Sequence, residues 1–207
     1  YNCSQLTSLP MNMLTELPEL QMLNVACNQS IEGDNLLENW NNFIDGKSGE
    51  KIQVLYLGYN KLTEMPEHEQ LKKMVKLGLI DLTNNFITKA NAFGKEINLT
   101  KVYLDYNQIT EIEAVDGYFC GSFTCTYNKL TEMPDIFNAK SKYVIGSVSF
   151  AHNEITGMQN GDNHRGVNTN NLDLSYNHLE KFPGVIIKKG SPLGILILQA
   201  NGMNTIK

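Results

Sequence analysis

The sequence predicts an α/β solenoid: a curved, right-handed superhelix with a parallel β-sheet on its concave face and short helices, 3-10 turns and loops on its convex face. Two observations carry this. The run Asn60-Lys61-Leu62-Thr63-Glu64-Met65-Pro66 returns residue for residue as Asn128-Lys129-Leu130-Thr131-Glu132-Met133-Pro134, a seven-residue recurrence that chance does not supply. Each asparagine also closes an apolar alternation, Ile52-x-x-Leu55-x-Leu57 before Asn60 and Cys120-x-x-Phe123-x-Cys125 before Asn128. Alternation of period two followed by a turn marks a short strand that buries one face, and its return at a near-constant interval marks an array in which each unit packs only on its neighbours.

Taken in order, the closing residue (the slot) falls at Cys3, Asn28, Asn60, Asn85, Asn107, Asn128, Asn153, Asn177 and Asn201. Residues 1–10 read as the back half of a unit, with Cys3 in the slot and Leu6 and Leu9 following. The interval from Cys3 to Asn28 is 25 residues, and those from Asn60 onward are 25, 22, 21, 25, 24 and 24. Only the step from Asn28 to Asn60, 32 residues, is long. Its surplus holds Leu36, Leu37, Trp40, Phe43 and Ile44 at helical spacing behind Asp34, which predicts a short outer helix with Trp40 as its anchor to the core. After Pro66 a second outer helix is expected, with acids first, lysines later and an apolar face of Leu71, Met74 and Val75. The polar segments 159–166 and 188–192 read as exposed outer loops. Strands are expected in the alternating segments alone, eight or nine of them at about 4.8 Å spacing, or roughly 40 Å of sheet. Residues 1–207 thus form one array of about nine units, and with no polar-faced capping unit at either end they are expected to be a fragment of a longer one.

These spacings resemble the leucine-rich repeat family. LNVACN, KIQVLYLGYNKLTEMP and YLDYNQITEI, together with the long outer insert, are similar to secreted or cell-surface leucine-rich repeat proteins of Gram-negative gut commensal bacteria. The resemblance spans the whole chain. It implies a surface-displayed, lipid-anchored protein and brings no catalytic residues with it.

The slot residues read as a structural ladder. An asparagine amide both donates and accepts, so a stacked column of them can satisfy backbone groups of adjacent turns that would otherwise cost about 1–3 kcal/mol each when buried unpaired. Cys3 offers only a weak thiol donor in that column.

Composition excludes several functions. A net charge of -5 with both signs interspersed leaves no basic stripe for nucleic acid. No run approaches the roughly 20 apolar residues of a membrane span, and the first residues show no charged-then-apolar leader, so any targeting signal is expected outside this sequence. Cys3, Cys27, Cys120 and Cys125 lack metal-site spacing, and Cys120 and Cys125 occupy positions filled elsewhere by Leu or Val, which makes them small buried hydrophobes. His68, His152, His164 and His178 fall on separate elements, and none is placed against a nucleophile. The reading is therefore a non-enzyme without cofactor or metal.

What remains is the exposed face of the sheet. Strand alternation places there the residues six, four and two before each slot, with the preceding residue at the edge. This collects Tyr56, Tyr59, Asp81, Lys101, Tyr103, Asp105, Tyr106, Tyr127, His152, Asp173 and Tyr176 as candidate ligand-binding residues. A tyrosine before the slot can simply shield the ladder. Together with the charged positions, however, these residues compose an amphipathic, hydrogen-bonding surface of the kind used in recognition. Protein recognition is the leading expectation, with carbohydrate binding by the same tyrosines or a passive stalk as alternatives.

Overall fold

The computed structural model describes residues 14–28, 40–45, 48–90, 93, 97–113, 118–135, 144–163, 165–184 and 186–204, with backbone alone at 40–42, 118–120 and 162. Cys3, the unit around it, the Asp34–Asn39 part of the insert, the Trp40 and Cys120 side chains and His164 lie outside what is described.

In chain order the strands are β1 (Met22–Asn24), β2 (Val54–Tyr56), β3 (Leu79–Asp81), β4 (Lys89–Ala90), β5 (Asn98–Tyr103) and β6 (Glu111–Ile112). They continue with β7 (Tyr118–Thr124), β8 (Glu132–Met133), β9 (Ile145–Ser149), β10 (Gly157–Met158), β11 (Thr169–Asp173) and β12 (Ile195–Ile197). Eight of them form one parallel sheet in the order β1-β2-β3-β5-β7-β9-β11-β12, each pairing with the strand one repeat away. The register is the one the slots set: Leu55 pairs with Ile80, Ile80 with Val102, Val102 with Phe123, Phe123 with Val148 and Val148 with Leu172.

Those paired residues are the inward positions, and they build the core. Ile52, Leu55, Leu57, Ile80, Leu82, Val102, Leu104, Phe123, Cys125, Val148, Phe150, Leu172 and Leu174 are all fully buried. Along each strand the residue pointing the other way is half or fully exposed, as in the pattern of Val54–Tyr56. Phe123 sits at the centre, with its ring edge-on to Phe93 at 5.6 Å and tilted against Phe150 at 6.0 Å. In the last strand Ile195, Leu196 and Ile197 are exposed.

The 21-residue interval between Asn107 and Asn128 is accommodated beside a bulge. Leu99 pairs with Phe119 but Lys101 pairs with Ser122, so β7 has one more residue than β5 at this point. Gly121 permits it: a Cβ there would stand 2.3 Å from the Thr100 carbonyl oxygen.

The outer side departs from expectation in three places. First, strands are not confined to the alternating segments. β4 pairs with β6 and β8 with β10 as two-residue parallel ladders, each starting four residues beyond a slot. Adjacent turns with outer segments of like conformation can share backbone bonds there, which a pattern of inward residues cannot reveal. Second, helix α1 (Trp40–Asp45) and helix α2 (His68–Lys73) occupy the insert and the post-Pro66 segment. Phe43, Ile44, Leu71 and Met74 are buried as expected, but Val75 is 74% exposed, because the helix ends at Lys73. Glu67 and Gln70 close a reciprocal capping box at the α2 start, and exposed Lys73 reaches Asp45 of α1 at 2.6 Å.

Third, the segment 159–166 is not simply exposed. Asn160, Gly161 and Asn163 face solvent, but Arg165 turns inward. Its Nε donates to Asp135 Oδ2 at 3.0 Å and its Nη2 to the Asp135 carbonyl at 3.0 Å, while Asn160 Nδ2 adds a bond to Oδ2 at 3.1 Å. The Asp135 side chain is 3% exposed and that of Arg165 34%. Removing the arginine strands a buried carboxylate, whereas removing the aspartate leaves a cation that still reaches water. Arg165→Met is therefore expected to destabilise by about 3 kcal/mol, more than Asp135→Asn does. Urea unfolding of the two variants checks the order.

Candidate functional site

The slot asparagines form the expected ladder from Asn28 to Asn201. Each interior amide repeats one arrangement. Asn107 Oδ1 accepts the Ile87 backbone N–H at 3.0 Å, and its Nδ2 donates to the Leu82 and Leu104 carbonyls, both at 3.0 Å. Asn85, Asn153, Asn177 and Asn201 do the same on their own rungs, and Asn128 differs only in that its own-turn bond goes to the Thr126 carbonyl at 3.0 Å. Asn60 bonds instead to the Asn28 N–H, the mark of the longer offset in that unit. Every described slot from Asn28 to Asn177 is buried.

The residues before the slots share a conformation that their sequence positions do not announce. Cys27, Tyr59, Asn84, Tyr106, Tyr127, His152, Tyr176 and Ala200 all have φ between 53° and 64°, the left-handed region that costs a non-glycine residue roughly 1–2 kcal/mol. An inter-repeat bond holds those from Cys27 to Tyr176 there: Tyr59 N–H donates to Thr83 O at 2.8 Å, Asn84 to Asp105 O at 2.9 Å and Tyr106 to Thr126 O at 2.9 Å. A common backbone conformation at a common register sends these side chains out in one column. Tyr106 stacks on Tyr127 with ring centroids 4.4 Å apart, Tyr127 on His152 at 4.0 Å and His152 on Tyr176 at 4.1 Å, each pair within 10° of parallel. The three tyrosines remain 43–49% exposed. Desolvation, followed by the charge and hydrogen bond of neighbouring Tyr127 and then by Asp105, raises the Tyr106 hydroxyl above the usual phenol pKa.

Beside this column the sheet presents Tyr56, Asp81, Lys101, Tyr103, Asp105 and Asp173 in the expected places, half-buried except for exposed Lys101. The aspartates are partly occupied locally. Asp81 Oδ1 accepts the Thr83 N–H and Asp173 Oδ1 the Ser175 N–H, both at 2.9 Å, closing turns two residues on. Asp105 accepts from the hydroxyls of Thr124 and Thr126 at 2.6 and 2.7 Å and from the Thr126 N–H at 2.7 Å. Their charge remains on the face, but these carboxylates are fixed in place, as a preorganised surface requires.

Nucleophilic or metal chemistry finds no assembled group among the described residues. His152 lies within the ring column between two tyrosines. The Cys125 thiol is fully buried, and burial pushes its pKa well up, with Asp105 adding to the effect; a thiol so held is a packing group rather than a nucleophile. Among the described residues no cluster of three or more His, Cys, Asp or Glu side chains could hold a metal ion, and no helix is long and apolar enough to cross a membrane.

Parallel strands, an asparagine ladder and a ring column define a leucine-rich repeat array with a preorganised exposed face. Comparison agrees. The fold matches a leucine-rich repeat protein of Bacteroides eggerthii with TM-score 0.85 and 39% identity, over 97% of this chain and 34% of that one. It matches another from Bacteroides thetaiotaomicron with TM-score 0.83 and 43% identity, over 97% of this chain and 25% of that one. Among curated proteins, lumican of Oryctolagus cuniculus is 30% identical over 73% of this chain and 90% of its own sequence. Lumican of Bos taurus is 31% identical over 73% of this chain and 51% of its own. No sequence-family profile matches. The chain belongs to the leucine-rich repeat proteins, and it spans about half the length of the bovine relative.

Proposed function

We propose that this array is a non-catalytic recognition module of a secreted or cell-surface protein, and that it binds a protein partner through the exposed face of its parallel sheet. The observation that carries this is the stack Tyr106–Tyr127–His152–Tyr176, held in the left-handed conformation along the edge of a face where Tyr56 and Tyr103 sit among Lys101, Asp81 and Asp105. Rigid tyrosines give contact area and hydrogen bonding at low entropic cost, and fixed carboxylates with a lysine give orientation. Inside the stack the ring faces cover one another, which leaves edges and hydroxyls to the ligand. This favours a protein surface over a sugar that packs on ring faces. The surface location follows the resemblance to displayed bacterial repeat proteins.

The test is to immobilise the 207-residue chain and screen it against purified extracellular proteins and, separately, a glycan array. Saturable binding to a protein supports the reading. Binding to glycans alone transfers the same face to the carbohydrate alternative.

A further inference from the structure

The ring column has one gap. Of the six successive edge positions from Tyr59 to Tyr176, only Asn84 lacks a ring. It shares the conformation of its neighbours, with φ 55° against 57° at Tyr59 and 55° at Tyr106, and it lies on the rung between them because Tyr56, Asp81 and Tyr103 are paired across adjacent strands. Two rungs therefore separate Tyr59 from Tyr106, about 9.6 Å at the strand spacing. A planar ring is about 3.5 Å thick at carbon contact, so the space holds one inserted ring and not two. A cavity of about 330 Å³ lies at this rung, bounded by Tyr59, Asn84, Phe86, Tyr106 and Lys61.

We propose that this gap is a binding slot for a single planar aromatic ring, supplied by a side chain of the protein partner; the inference rests on the recognition reading and names its anchor point. The array itself shows the fit, since the next rungs hold Tyr, Tyr, His and Tyr rings at 4.0–4.4 Å from one another. The walls are apolar and open: Tyr59 is 50% exposed, Phe86 48% and Tyr106 49%. Polar capacity is small. The Asn60 and Asn85 amides are committed to the ladder, which leaves the Asn84 amide and Lys61, too few groups to read the hydroxyls of a sugar but enough to orient one ring. A sandwiched ring also makes two stacking contacts, each favourable beyond the area it buries.

The test uses the 207-residue chain and two probes, N-acetyl-tyrosinamide and a methyl glycopyranoside, titrated while the Asn84 side-chain amide and the Tyr59 and Tyr106 ring signals are followed by NMR. The aromatic probe is expected to shift these signals saturably and the glycoside to leave them in place. Asn84→Tyr supplies the missing ring from the array, in a conformation tyrosine already adopts on neighbouring rungs, and should weaken the aromatic probe at least tenfold. Tyr59→Ala removes one wall and should weaken it at least threefold; it decides the matter if Asn84→Tyr does not fold. Shifts caused by the glycoside instead, no saturable shift with the aromatic probe, or undiminished binding by the folded variants overturn the slot. If the slot fails while Tyr103→Ala still weakens a protein partner, the recognition reading stands without it.

Discussion

Phe123→Ala is expected to destabilise the array by about 3–5 kcal/mol. The ring is fully buried at the middle of the sheet, between Val102 and Val148 on adjacent strands, and it touches Phe93 and Phe150. Truncation removes the transfer free energy of the ring and leaves a cavity that neighbouring turns cannot close without giving up their own register. In a solenoid each turn touches only its neighbours, so a weakened central turn also loosens the coupling between the two halves. Urea unfolding followed by circular dichroism should show a lower midpoint and a broader transition. A loss of less than about 1 kcal/mol would mean that Phe123 does not occupy the core.

Asn107→Leu should cost about 1–3 kcal/mol. Leucine is close in volume, so the loss lies in hydrogen bonding: the Ile87 N–H loses its acceptor, while the Leu82 and Leu104 carbonyls each lose one donor and keep the amides of Asn85 and Asn128. One buried orphan costs about 1–3 kcal/mol, and the weakened carbonyls add to the loss without being left unpaired. Asn163→Leu, on an exposed turn, should stay within about 0.5 kcal/mol of the parent. Thermal unfolding compares them directly, and equal melting temperatures would contradict the repeat register.

Much of this fold was legible because the residues that set it are periodic. Leu55, Ile80, Val102, Phe123, Val148 and Leu172 stand five before their slots and pair across the sheet, and the slot asparagines announce the ladder by position alone. The outer ladders were not legible, because β4–β6 and β8–β10 depend on two neighbouring outer segments adopting one conformation. Nor was the Asp135–Arg165 contact, formed across 30 residues without a spacing that signals it. At the candidate site the sequence located the edge column but not its left-handed backbone, which comes from inter-repeat hydrogen bonds between turns. The local role of Asp81 and Asp173 had a signal that went unused, since an aspartate two residues before a Thr or Ser N–H at a turn commonly accepts from it.

Recognition through the exposed sheet face is tested most directly by one comparison: the affinity of Tyr103→Ala beside that of Lys72→Glu for a protein partner, by isothermal titration or surface plasmon resonance. Tyr103 is half-buried on that face, and Lys72 is exposed on α2 on the outer side. Truncating a central aromatic anchor costs about 2 kcal/mol or more at a hot spot. The expected result is at least a tenfold loss of affinity for Tyr103→Ala, with an unchanged melting temperature, and less than a twofold change for Lys72→Glu. Loss of binding in Lys72→Glu with Tyr103→Ala unaffected would contradict it and place recognition on the outer side.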